Sequence, residues 1–112
     1  MTLAFPGPYA RGQILLTTNA AVATAASGTI ATAGLGITRV SPAAAIASVV
    51  LQPGTVDGQV VIVENDAVAA NTVTFAAAGT SNVADGVSTV IAGLTSVAYV
   101  WNSTTALWYA VK

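Results

Sequence analysis

The sequence contains no cysteine and no histidine, and only three cationic and four anionic side chains in 112 residues. Without cysteine there is no disulfide framework and no thiolate metal site, and neither an oxidising nor a reducing compartment is indicated. Without histidine, the commonest general base and metal ligand is missing. The three cations, Arg11, Arg39 and Lys112, are too few for a basic stripe, which argues against nucleic acid and anionic lipid as partners. A secretory leader is not expected either, because residues 1–12 have no basic segment ahead of an apolar core and are interrupted by Pro6, Gly7 and Pro8.

What remains is 54% hydrophobic and 6% charged, which excludes a disordered chain. An independently soluble small domain normally carries about 25 to 35% charge on its surface. For an 11.0 kDa chain the folded surface scales to roughly 5,600 Å², or about one charge per 800 Å². One partner in a standard protein interface buries about that area, so most of this surface can be covered without desolvating a charge. Two charge-free stretches, residues 12–38 and 86–111, are long enough to cross a bilayer. Their content argues against it: the first is Ala, Thr, Ser and Gly with Gln13 and Asn19, and the second contains Asn102, Ser103, Thr104 and Thr105.

Alanine, valine and threonine dominate, and the last two are β-branched residues that fit pleated surfaces better than helices. Glycine and proline punctuate the chain too often for long helices, leaving at most a helical turn at residues 42–47 or 76–78. Strands are expected at residues 13–17, 29–33, 37–40, 46–51, 59–64, 72–75, 86–91, 96–101 and 107–111. The alternation in Thr72-Val73-Thr74-Phe75 puts Val73 and Phe75 on one face and both threonines on the other. Turn signals every 8 to 12 residues or so give the expected fold class: all-β, a compact antiparallel β-sandwich or β-barrel of short strands. The likeness of Ala25-Ala26-Ser27-Gly28-Thr29 to Ala77-Ala78-Gly79-Thr80 is read as coincidence in so alanine-rich a chain.

Two domain-level pieces are expected, an extended N-terminal arm at residues 1–12 and a single β domain at residues 13–112. The arm's prolines lack the donor that a ladder needs. Its Phe5, Tyr9 and Arg11 are of types enriched at binding hot spots, which points to docking on a neighbouring subunit. A strap over the domain's own sheet and simple disorder are the alternatives.

The last two strands should form a hairpin around residues 102–106, with Trp101 opposite Leu107, Tyr99 opposite Tyr109, and Val100 opposite Trp108. Both hairpin faces are then apolar, so Phe75, Tyr99, Trp101, Trp108 and Tyr109 are assigned to the core or an interface, with sugar stacking as the alternative for the hairpin aromatics. Catalysis is not expected from Asp57, Glu64, Asp66 and Asp85 with no histidine to shuttle a proton. Asp57-Gly58 and Asp85-Gly86 read as turns. Glu64-Asn65-Asp66 is weighed as a Ca²⁺ ligand set and read as a solvated turn, because it matches no calcium loop with a distal bidentate glutamate. Asn102-Ser103-Thr104 fits a glycosylation acceptor but is read as a loop. No metal, cofactor or catalytic residue is assigned.

Four segments carry a family likeness: Leu51-Gln52-Pro53-Gly54-Thr55, the strand from Gly58-Gln59-Val60-Val61 to Glu64-Asn65, Thr72-Val73-Thr74-Phe75, and Tyr99-Val100-Trp101-Asn102 running to Leu107-Trp108-Tyr109. Over residues 37–112 the chain resembles the small β domain of bacteriophage structural proteins, above all capsid decoration (cement) proteins and head or tail fibre modules. The resemblance implies a non-enzymatic homo-oligomer, a trimer, bound to the major capsid protein on the outer surface of the virion. Neither a heptad stalk nor a repeating shaft is evident, which favours decoration over a fibre. A fibre or receptor-binding tip contacting a host-surface glycan is the alternative, and a fragment of a surface-layer or adhesin assembly is a third.

Overall fold

The computed structural model describes residues 15–112, which form two four-stranded sheets. The first sheet contains, in spatial order, β1 (Thr29–Ile30), β3 (Ile46–Leu51), β5 (Val73–Phe75) and β6 (Val90–Ile91). The second contains β2 (Ile37–Val40), β4 (Val60–Asn65), β7 (Thr95–Asn102) and β8 (Leu107–Ala110). A single helical turn α1 (Ala78–Ser81) and a 3-10 turn (Gly86–Ser88) lie between β5 and β6. The expected arm, with Phe5, Tyr9 and Arg11, lies outside the described residues.

Strand alternation is carried by β-branched residues. In β4, Val61, Val63 and Asn65 face inward while Val60, Ile62 and Glu64 face outward; in β5, Val73 and Phe75 are buried on either side of Thr74. β3 keeps this pattern only by means of a bulge, where Ser48 takes a φ of 60° and the register slips between Ile46 and Val49 so that Val49 and Leu51 reach the core. Helix α1 ends where Asn82 adopts the left-handed conformation, returns its N–H to the Ala78 carbonyl and donates its Nδ2 to the Leu51 carbonyl at 2.8 Å.

The expected antiparallel arrangement is corrected to a mixed one. Among the described residues, the β1–β3, β2–β4 and β3–β5 ladders are parallel, and β4–β7, β5–β6 and β7–β8 are antiparallel. From β1 to β5 each strand lies in the sheet opposite its predecessor. The intervening strand therefore acts as the crossover, and the chain returns to a sheet pointing the way it left. Residues 18–22 begin the same course, bridging in parallel to Ile37 and Val40 along the edge of β2. There the Asn19 amide imitates a strand residue: its Nδ2 donates to the Arg39 carbonyl at 3.2 Å and its Oδ1 accepts the Arg39 N–H at 2.7 Å. Three over-and-back courses thus stack, and they are closed where the chain stops alternating.

Four further expectations are corrected. Residues 86–91 are not one strand, because the 3-10 turn occupies Gly86–Ser88 and leaves two residues for β6. Residues 15–17 form no strand, and residues 42–45 run without helix into β3. The hairpin register differs by one, pairing Trp101 with Trp108, Val100 with Tyr109 and Tyr99 with Ala110. The cause is local. Asn102 stays in the ladder opposite Leu107, its Oδ1 accepting the Thr104 and Thr105 N–H groups, and Ala106 turns the chain back at a φ of 57°. The shift sends both tryptophans inward and leaves Tyr109, at 40% exposure, on an outer face that is open in the single chain rather than buried.

The core lies between the sheets. Phe75 meets Tyr99 edge-on with centroids 5.9 Å apart, and Trp101 packs against Trp108 at 5.3 Å. Trp108 is fully buried, and its Nε1 donates to the Gln52 carbonyl at 2.9 Å. Its backbone takes up residues 82–84 as a covering strand, the N–H donating to the Asn82 carbonyl and the carbonyl accepting from Ala84. Replacing Trp108 with alanine is expected to cost about 3 to 5 kcal/mol in chemical denaturation. A loss below about 1 kcal/mol would contradict the packing described.

Tyr99 has the opposite character. Its hydroxyl is buried without a hydrogen-bond partner among the described residues, and burial, with the Asp85 charge adding, pushes its phenol well above the ordinary 10.0. The native state then holds this proton where the unfolded chain has released it, so stability is complete below about pH 10 and declines as pH rises beyond it. Tyr99→Phe should raise stability by about 1 kcal/mol at neutral pH, by removing an unsatisfied polar group, and should flatten the alkaline decline. Melting curves from pH 7 to above 10, run on both proteins, check each part.

Candidate interaction surface

The outer face of the second sheet is set by cross-strand register. Val60, Val100 and Tyr109 form one row across it, Ile37, Ile62 and Ala98 the next, and Arg39, Glu64 and Ser96 the last. The two apolar rows lie on the side nearer the hairpin loop, where the Tyr109 hydroxyl donates to Thr105 Oγ1 at 3.2 Å. Charge is confined to the third row and is paired, Arg39 Nε lying 3.1 Å from Glu64 Oε1. Both edges of this sheet are covered, β2 by residues 18–22 and β8 by residues 82–84, so the face rather than an edge is what the sheet presents.

The candidate residues separate accordingly. Phe75, Tyr99, Trp101 and Trp108 lie inside, and Tyr109 lies on the outer face. Among the carboxylates, Asp85 pairs with Lys112 at 2.9 Å and Asp57 accepts the Ser103 N–H at 2.9 Å, which fastens the turn before β4 to the hairpin tip. Glu64, Asn65 and Asp66 do not converge on a common point. Successive strand residues face opposite sides, so Glu64 turns out to Arg39 while the Asn65 side chain turns into the core. Every polar atom of that side chain is engaged there: Nδ2 donates to the Asn71 and Ile91 carbonyls at 2.8 and 3.1 Å, and Oδ1 accepts the Ala67 N–H at 3.1 Å.

The same asparagine organises the turn joining β6 to β7, which the sequence marks at Gly93-Leu94-Thr95 only as a separator between strands. The Asn65 carbonyl accepts the Leu94 N–H at 2.8 Å, and Thr95 Oγ1 donates to the Ala92 carbonyl at 2.6 Å. Gly93 lies so close to the Val68 carbonyl that a Cβ there would stand 1.8 Å from its oxygen. Held from three sides, Leu94 takes a φ of 63°, a conformation that costs a leucine about 1 to 2 kcal/mol, and the residue is 72% exposed. Glu64 and Asp66 flank it around an open depression of about 310 Å³. The available signal was compositional, a leucine at a turn position where glycine, asparagine or aspartate is usual. On the other side of Ser96 lies a shallow groove of about 400 Å³ between the start of β6, the start of β7 and residues 110–112.

Removing the Asn65 amide takes away its bonds to the Ala67 N–H and to the Asn71 and Ile91 carbonyls, which lie on two segments. Asn65→Ala should therefore lower stability by about 2 kcal/mol or more, with early hydrogen exchange at the Ala67 and Leu94 amides. Retained protection at both would contradict the bracing role. Compared with known proteins, the chain matches no family model, no curated protein and no solved structure.

Proposed function

We propose that the chain is a non-enzymatic structural protein of a virus particle, which decorates and stabilises the capsid by binding the major capsid protein as an oligomer. The observation that carries this reading is the outer face of the second sheet, two apolar rows with charge only at one end and already paired within the chain. Such a face can be covered without leaving an uncompensated buried ion, which is what attachment by a charge-poor protein requires. The trimer and the capsid partner come from the resemblance of residues 37–112 to phage structural β domains.

A second reading, a phage fibre or receptor-binding tip contacting a host glycan, is supported by two observations. The three over-and-back courses stack in the manner from which shafts are built, which removes part of the sequence argument against a fibre. Tyr109 also offers an open ring, although both tryptophans are turned inward. Counting this chain per capsid protein in purified particles separates the two, since a decoration protein is present in numbers comparable to the shell subunit and a tip module in few copies.

The arm supplies the sharper test. Prolines at positions 6 and 8 limit the freedom lost on docking, and Phe5, Tyr9 and Arg11 supply anchors. Deleting residues 1–11 should leave the melting temperature unchanged and weaken binding to undecorated shells by at least about tenfold, or about 1.4 kcal/mol. Unchanged binding removes the docking role, and loss of the fold makes the arm an internal strap.

A further inference from the structure

The turn at Leu94 and the groove beside it are complementary, and they occur together on one chain. Leu94 is a large apolar side chain held outward in a conformation that glycine would adopt without strain, with three contacts enforcing it. The neighbouring groove is mixed in character, with Val90, Val97, Ala98, Ala110 and Val111 on its apolar side and Ser88, Thr89, Ser96 and Lys112 on its polar side, and in the single chain Val90 and Val111 are exposed. The charges at the two features are opposite. The Asp66 carboxylate, beside Leu94, makes no ion pair or hydrogen bond among the described residues, whereas the groove is rimmed by Lys112, whose side chain is 77% exposed.

We infer that Leu94 of one copy seats in the Val90–Val111 groove of a second copy, with Asp66 of the first beside Lys112 of the second. The inference rests on the reading above that the chain works as an oligomer, and it identifies the contact between copies. Knob and groove adjoin at Ser96, which lines both depressions, so each copy can give and receive at one corner of the molecule. Reciprocal exchange closes a pair, and successive exchange closes a ring where the rotation between copies closes; either arrangement leaves the Val60, Val100 and Tyr109 row of the second sheet for a different partner. Lys112 then lies between two carboxylates, Asp85 of its own chain at 2.9 Å and Asp66 of the neighbour.

The experiment is sedimentation velocity of the full chain across a concentration series, with thermal melting in parallel. The wild type is expected to self-associate. Leu94→Gly should weaken association by at least about tenfold while melting stays unchanged or rises, because the substitution relieves backbone strain; a merely structural leucine would show the reverse. Val90→Glu, on an exposed strand residue, should weaken association equally from the groove side. Asp66→Lys alone should weaken it, and Asp66→Lys combined with Lys112→Asp should restore it in part. A wild type that stays monomeric, or a Leu94→Gly variant that associates as the wild type does, overturns the inference. Binding to undecorated shells keeps the two readings apart: association through Leu94 without shell binding leaves this contact standing and overturns the capsid role, and a monomer that binds shells does the opposite.

Discussion

The passage of the chain from one sheet to the other at every step between β1 and β5 determines which backbone groups can meet, and most of the remaining structure accommodates that constraint. Because each strand's ladder partner is separated from it by a strand of the opposite sheet, the two sheets cannot part without breaking chain crossings at several levels. The strands can therefore be short. A two-residue β1 or a three-residue β5 would carry little as a hairpin, yet each is held by a neighbour whose own position is fixed from the other sheet.

Frequent crossing has a cost in unpaired peptide groups, since each crossing interrupts a ladder near the core. The protein meets this cost with neutral amides. The Gln52 side chain accepts the Thr32 and Ala33 N–H groups, Asn71 donates to the Pro42 carbonyl, and Asn82 donates to the Leu51 carbonyl. Asn65 joins β4 to the approach to β5 and to β6, while Asn19 completes the edge of β2. An amide offers donor and acceptor without the desolvation penalty of an ion. A chain with so few charges can thus satisfy its crossings and still present an apolar outer surface.

This division explains what could be read in the sequence. β2 and β3 lie at the residues where β-branched content and punctuation place them, and the inward pair Val73 and Phe75 follows from alternation alone. Alternation reports which face a residue takes and is silent on which strand lies beside it, so parallel neighbours were not visible. The hairpin shows how small the missing information is: one asparagine retained in the ladder instead of the loop moved every side chain of β8 to the other face. Leu94 was passed over because its significance comes from what holds the turn around it: the Asn65 carbonyl accepts its N–H, the Val68 carbonyl closes on Gly93, and Thr95 Oγ1 ties the turn to the Ala92 carbonyl. The functional reading depended on resemblance, because a binding face has no residue spacing of the kind that catalytic groups or metal ligands impose.

The bulge at Ser48 and the parallel courses around it also bear on the order in which the molecule can assemble. β3 lies between β1 and β5, so the first sheet has no centre until the bulged strand has found its register against both. Each parallel pairing must close a long loop before any contact rewards it, which makes such sheets slow to form. The β7–β8 hairpin is local, carries Trp101 and Trp108, and is synthesised after all the strands it completes. The valine-rich strands must therefore remain unaggregated until their most readily formed partner emerges, and the interval between translation of β3 and of Trp108 is the period in which the chain is most exposed to misassembly.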